Sequence, residues 1–172
     1  AVCAGELEEL IADCDFIEHG PKLDSDNNVI RFHPSYAKAG NLIWESGILS
    51  NSLQEGHTPK QAILFYLLAH QGEGGHCCPI ACTSGLIHAL NTHGSDDLKE
   101  HFLAPLLDDR YENAHMGAQF LTEIQGGSDV GANRTRAEQD EDGTWRISGE
   151  KWFCSVANAQ QFFVTARVGE KP

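Results

Sequence analysis

The sequence predicts an α+β protein, helical at first and built of short strands towards its end. Three observations carry this reading. Apolar residues recur at helical spacing up to about residue 115, alternation replaces that spacing beyond it, and an Asp-Gly pair separates two candidate strands. The expected division is an all-α helical domain at 1–114, followed by the start of an antiparallel β-barrel or sheet domain at 115–172.

Residues 4–18 place Leu7, Leu10, Ile11, Cys14 and Ile17 on one helical face. The stretch from Pro21 to Pro34 is rich in turn residues and reads as a loop. A second helix is expected over 35–49, with Leu42, Ile43 and Ile48 inward. Thr58, Pro59 and Gln61 read as the N-cap, first-turn proline and capping-box residue of a third helix. That helix, 60–70, is apolar nearly all round and is expected to be buried. Gly72, Gly74 and Gly75 should end it. Residues 79–91 read as another buried helix. Gly94, Ser95, Asp96 and Asp97 start the next, with two acids suited to its first turn. Pro105 is expected to divide that helix from a last turn near Asp109.

From His115 the period changes. A strand is expected at 133–138, and Asp142-Gly143 suits a type I′ hairpin turn. Trp145 and Ile147 alternate with Arg146 and Ser148. Phe162, Val164, Ala166 and Val168 alternate with Phe163, Thr165 and Arg167, as in a half-buried antiparallel sheet of about four strands.

Composition narrows the class of function. The chain has 172 residues, 41% of them hydrophobic, and a net charge of −13. Such an acidic chain repels phosphate backbones and anionic surfaces, so neither nucleic acid nor membrane is an expected partner. The longest apolar run, from Ala62 to Ala69, is far short of the roughly 17–25 residues that span a bilayer. The acidic opening shows no signal peptide, and the absence of an initiator Met suggests a start inside a longer product. Six cysteines are expected as reduced thiols, with Cys14 and Cys154 as small core residues.

Chemistry concentrates in two segments. Gln119 to Asp129 reads as a strand running into a loop with adjacent glycines. Gly126 and Gly127 allow close backbone approach to a ligand, Ser128 offers a hydroxyl to a phosphate, and Thr122 offers one to a polar ring edge. By itself this is equally an ordinary loop capped by Asp129. The second segment, 148–158, sets Trp152 and Phe153 before Ser155, a flat wall with a donor at its edge; as an alternative the two rings are simply core.

Together, 120–167 closely resembles the acyl-CoA dehydrogenase signature: Thr122-Glu123, Gly127-Ser128-Asp129, the Asp-Gly hairpin, then Gly149, Lys151, Phe153 and Ser155 in order. The helix of Gly94, Ser95, Lys99, Phe102, Leu103 and Leu106 resembles the family's helix before the sheet. Residues 75–80 and Gln125 look most like its AidB-like branch.

The resemblance implies an FAD enzyme that removes an α-proton and a β-hydride from an acyl-CoA thioester. The cofactor-binding residues it implies are Gln119, Leu121, Thr122, Gly127, Ser128, Phe153, Cys154 and Ser155, with Ser128 also near the acyl-CoA substrate. The double-glycine turn and the aromatic strand are expected on opposite sides of one FAD. Departures from many members are Gln119 for a tyrosine, Phe153 for tryptophan and Ser155 for threonine. The base glutamate is expected beyond Pro172, so no catalytic residue is assigned, and Glu123 reads as structural. An electron-transfer flavoprotein, a homo-oligomeric partner and a C-terminal helical portion are implied, in a bacterial cytoplasm or mitochondrial matrix. Two alternatives stand: an AidB-like flavoprotein acting as stress protein, oxidase or monooxygenase, and a helical binding module without flavin. His76, Cys77, Cys78, Cys82 and His88 suggest zinc, but one knuckle without a second does not make a site, and no metal is expected. His70, His88, His93 and His101 read as ordinary helix histidines.

Overall fold

The computed structural model describes residues 3–71 and 75–169, with the side chains of residues 3 and 4 undescribed. The expected helix breakers Gly72 and Gly74 lie outside the described residues, as does Pro172.

Among the described residues, five α-helices precede residue 115. α1, Cys3–Cys14, buries Leu7 and Ile11, and a 3₁₀ turn at Ile17–His19 follows it. The helical spacing therefore reached four residues too far. The expected loop contains a short hairpin, β1 (Lys22–Asp24) against β2 (Val29–Arg31). Its turn hangs on Asp24, whose carboxylate accepts from the Asp26 N–H, Asn27 and Arg31. These turn-forming residues hide strands of three residues each.

α2 spans Pro34–Glu45, with Pro34 in its first turn and His33 Nδ1 accepting from the Ser35 N–H. Ala39, Ile43 and Trp44 are buried on one face, which packs against α1. The chain leaves the helix earlier than expected, and Ile48 and Leu49 enter the core from a turn. α3, His57–His70, starts before Thr58, and its N-cap is Gly56 in the left-handed region. Thr58 is therefore no cap. Gln61 donates instead to the Ile48 carbonyl and to Ser84 Oγ. Nor is α3 buried: Ile63, Tyr66 and Leu67 are more than half exposed. Only one edge of it meets α4.

α4, Cys77–His93, buries Ile80, Thr83, Leu86 and Ile87 at helical spacing. α5, Asp96–Leu106, is capped as expected, with Ser95 Oγ accepting from the Leu98 N–H. Pro105 is its penultimate residue.

Among the described residues, the strands after α5 form two small sheets beside the separate β1–β2 hairpin. β3 (Gly117–Phe120) pairs in parallel with β6 (Gln161–Val164), Gly117 opposite Gln161. β4 (Arg136–Gln139) lies between β5 (Trp145–Ser148), antiparallel, and β7 (Arg167–Val168), parallel. The α+β class stands, but only one of these ladders is antiparallel. The chain between β3 and β6 runs out through the β4–β5 hairpin and back, which returns β6 in the direction of β3. The hairpin turn also differs from type I′. Gly143 is left-handed (φ +87°) while Asp142 is not, and the Gly143 N–H bonds the Asp140 carbonyl. That is a type I turn closed by a left-handed glycine.

α4 carries the sheet. The Gly117 N–H donates to Thr83 Oγ1 (2.9 Å) deep in the core, and Gln119 Nε2 donates to the Cys82 carbonyl (3.1 Å). β3 is thereby held against a buried helix, and the loop after it starts from a rigid base.

Candidate functional site

The loop after β3 opens with Thr122 and a tight turn in which Glu123 and Gly126 exchange backbone hydrogen bonds. Gly127 packs directly on Thr122: a Cβ there would lie 2.6 Å from Thr122 Oγ1. Ser128 follows, exposed. The N–H groups of Gly127 and Ser128 make no hydrogen bond among the described residues. The loop thus offers two backbone donors and a hydroxyl to solvent.

The second segment lies beside the first. The Trp152 N–H donates to the Thr122 carbonyl (2.9 Å). Lys151 Nζ donates to the Leu121 carbonyl (3.2 Å) and to Glu123 Oε1 (3.0 Å). One lysine therefore fastens the aromatic segment to the strand end. Trp152 and Phe153 are not core: they are 50% and 77% exposed, with their rings edge to face at 5.8 Å. Cys154 is exposed as well, which corrects its assignment to the core, and Cys14 is half-buried. Cys154 follows the bend at residues 152–153, outside any helix or strand, and stays at the surface. Ser155 is exposed next to it.

Phe153 and Val156 both have positive φ, +57° and +56°. A β-branched residue in that region is an outlier, and such strain collects where a ligand surface must be held in shape.

Glu123 is the buried polar centre of the site. Its carboxylate accepts from Gln125 Nε2, the Arg134 and Thr135 N–H groups, Thr135 Oγ1 and Lys151. Burial alone would raise its pKa. The hydrogen bonds from Gln125, Arg134 and Thr135 outweigh that and hold it well below the usual carboxylate range. A carboxylate with its lone pairs so occupied is a poor proton acceptor, which fits a structural role. Asn133 extends the network, donating to the Leu121 carbonyl and Thr165 Oγ1 (both 2.8 Å). Sequence reasoning missed Asn133, Thr135 and Thr165, because nothing in their spacing marks them and only the crossing of three segments brings them together.

Of the expected cofactor residues, Thr122 and Gly127 touch each other, Phe153 follows the Trp152 that bonds Thr122, and Ser128, Phe153, Cys154 and Ser155 are exposed. Gln119 and Leu121 face elsewhere in part: the Gln119 amide is tied to α4, and the Leu121 carbonyl is taken by Asn133 and Lys151. The surface fits a flat, phosphate-bearing group such as FAD. It joins exposed rings held in a strained turn to exposed donors on a loop whose glycine leaves no room for a side chain.

Comparison with known proteins defines the class. Residues 118–172 match the acyl-CoA dehydrogenase middle domain, and residues 16–113 match the adaptive response protein AidB N-terminal domain. The chain belongs to the AidB-like acyl-CoA dehydrogenase family. It is 36% identical over 170 residues to AidB of Escherichia coli strain K12, covering 86% of this chain and 29% of that protein. Caenorhabditis elegans ACDH-11, solved in complex with C11-CoA, superposes with a TM-score of 0.77 at 25% identity, over 95% of this chain and 30% of that one. Butyryl-CoA dehydrogenase from Megasphaera elsdenii shares the fold, with a TM-score of 0.65 at 20% identity over 94% of this chain and 43% of its own. The chain thus spans under a third of the AidB sequence it resembles. Among the described residues, no helix is long and apolar enough to cross a membrane.

Proposed function

We propose that this chain supplies the flavin-facing segments of an FAD-dependent dehydrogenase of acyl-CoA thioesters. The observation that carries the reading is the bond from the Trp152 N–H to the Thr122 carbonyl, which sets the exposed rings beside the exposed donor loop. Bound FAD would supply the hydride acceptor. Phe153 and Trp152 would cover the ring system, with Cys154 and Ser155 at its edge. Thr122 would hydrogen-bond the polar side of the ring, with Gln119 and Leu121 backing it. Gly127 and Ser128 would meet the pyrophosphate, Ser128 also standing near the acyl-CoA. Lys151 and Glu123 would hold the two segments in register without touching substrate. None of these residues is proposed as the base, and electrons would leave to a separate flavoprotein. The division into a helical domain at 1–114 and a flavin-binding domain from 115 belongs to the same proposal, as does a homo-oligomer in a cytoplasm or matrix.

The AidB N-terminal match favours a second reading, a flavoprotein of this fold whose main work is not dehydrogenation. Both bind flavin, and anaerobic addition of acyl-CoA separates them: bleaching of the flavin supports dehydrogenation. Ser128→Ala is the cleaner test of the loop, since Ser128 is exposed, whereas Gly127→Val must also displace Thr122. In the protein that carries this chain, Ser128→Ala should release FAD more readily at unchanged Tm. Equal FAD retention in both variants would defeat the assignment.

A further inference from the structure

We propose that Asn133, Arg136 and Arg167 form a binding site for a phosphate monoester, apart from the residues assigned to the flavin. Asn133 follows the 3₁₀ turn Val130–Ala132, Arg136 opens β4 and Arg167 opens β7. The two strands pair in parallel with Arg136 opposite Arg167.

The chain has six arginines and 25 acidic residues. Arg31, Arg110 and Arg146 each pair with an aspartate, Asp24, Asp108 and Asp140. Arg134, Arg136 and Arg167 pair with no carboxylate among the described residues. At a net charge of −13 this is not for want of acids. Asp129 stands by Gly131 and bonds none of the three. Like charges at facing ladder positions repel, and an anion relieves them. Arg167 Nε donates to the Asn133 carbonyl (2.6 Å) and its Nη2 to the Gly131 carbonyl, while Arg136 donates to the Gly169 carbonyl (3.2 Å). These carbonyls hold the side chains without neutralising them. A guanidinium carries five N–H donors, so both keep donors for a ligand. Salt screens surface charges beyond roughly 10 Å, so these local cations set the potential here more than the net charge does.

Asn133 points to a ligand independently of charge. It is 2% exposed, and its Nδ2 donates to the Leu121 carbonyl and Thr165 Oγ1, which fixes the orientation of the amide. Its Oδ1 is then a buried acceptor with no donor among the described residues. Such an atom costs free energy until a donor reaches it. A cavity of about 300 Å³, lined by Gly131, Asn133, Thr165 and Arg167 with Val130 and Val164 as apolar wall, puts this residue and a guanidinium on one space. Its ligand has to bring both negative charge and a donor. A phosphate monoester does so. Its ionised oxygens suit the guanidinium groups. The O–H is its own, since the second ionisation falls at about pH 6, or belongs to the neighbouring sugar carbon. Sulfate has the charge without the proton. Two sources carry this chemistry, the phosphorylated ribose of the acyl-CoA and free phosphate. The first rests on the dehydrogenase reading; the site itself does not.

Calorimetric titration of the protein that carries this chain, with CoA, dephospho-CoA, inorganic phosphate and sulfate, tests the site. If the ribose phosphate is the ligand, CoA binds at least about tenfold tighter than dephospho-CoA. If free phosphate is the ligand, the two bind alike and phosphate binds at least about tenfold tighter than sulfate. Either preference should vanish in Arg136→Gln and in Arg167→Gln. Arg136 is exposed, so its variant is expected to keep Tm, whereas Arg167→Gln also releases two loop carbonyls. Absence of both preferences, or a preference that survives in Arg136→Gln, would overturn the proposal. Arginine-dependent binding without bleaching of flavin by acyl-CoA supports the site and removes the dehydrogenase reading. Bleaching with neither preference does the reverse.

Discussion

At the scale of single residues, the Glu123–Lys151 pair decides whether the two signature segments stay together. Their side chains are 3% and 7% accessible. Breaking a buried pair from one side leaves an uncompensated charge and typically costs roughly 3–5 kcal/mol. Lys151→Met is therefore expected to lower stability by that order, read as a fall in the urea midpoint. Glu123 also sets an acid limit. Its pKa is depressed from an ordinary 4.5, so its contribution to stability is complete above about that value and is lost as pH falls towards the folded-state value. Denaturant melts at neutral pH and near pH 3 should show a steep acid loss, and Glu123→Gln should flatten it while lowering stability at neutral pH. Neither the five donors to Glu123 nor the strain at Phe153 and Val156 was legible in the sequence. A Thr-Glu followed by a Gly-x-Lys marks that something is held there, not by which partners.

At the scale of elements, the joint between α4 and β3 orients the sheet on the helices. Thr83 is fully buried and receives the Gly117 N–H. Thr83→Val keeps the volume but leaves that N–H unpaired in the core, at a cost of about 1–3 kcal/mol. A thermal melt should show the fall in Tm, and faster amide exchange at Gly117 should accompany it. Gly149, after β5, is constrained more tightly. Its φ is +159°, and an added Cβ would meet Thr135 Oγ1 at 2.4 Å and Thr135 Cα at 2.7 Å. Thr135 also donates to Glu123, so Gly149→Ala should both destabilise the chain by about 1–3 kcal/mol and disturb the Glu123 network. Its acid limb, measured as above, should move to higher pH. Helix starts such as Ser95 were readable because a cap is local chemistry. The β1–β2 hairpin and the parallel pairing of β3 with β6 were not, because pairing partners are set by where the chain returns.

At the scale of the whole molecule, the chain is more open than its length requires. Its accessible surface is 11036 Å², against roughly 8,300 Å² expected for a compact monomer of this size. The excess has an address. Ile63, Tyr66 and Leu67 on α3, and Trp145, Ile147, Phe162 and Phe163 on the strands, are all more than 40% exposed. Exposed apolar patches of this extent mark interaction surfaces. The chain on its own should bind a hydrophobic dye strongly, and Ile63→Lys/Leu67→Lys should reduce the dye signal without lowering Tm. A drop in Tm of several degrees would instead place that face of α3 in the core.

Read alone, the sequence settled the α+β class, most helix positions and the family, through caps, periodicity and a motif whose order and spacing are local properties. Only the folded chain decided that α3 lies open, that two of the ladders in the strand region are parallel, and that Trp152 meets Thr122. It also decided that Asn133, Arg136 and Arg167 meet, three residues no motif connects. The reason is the same in each case: local chemistry acts over a few residues, while burial and partnership depend on which distant segments arrive beside them.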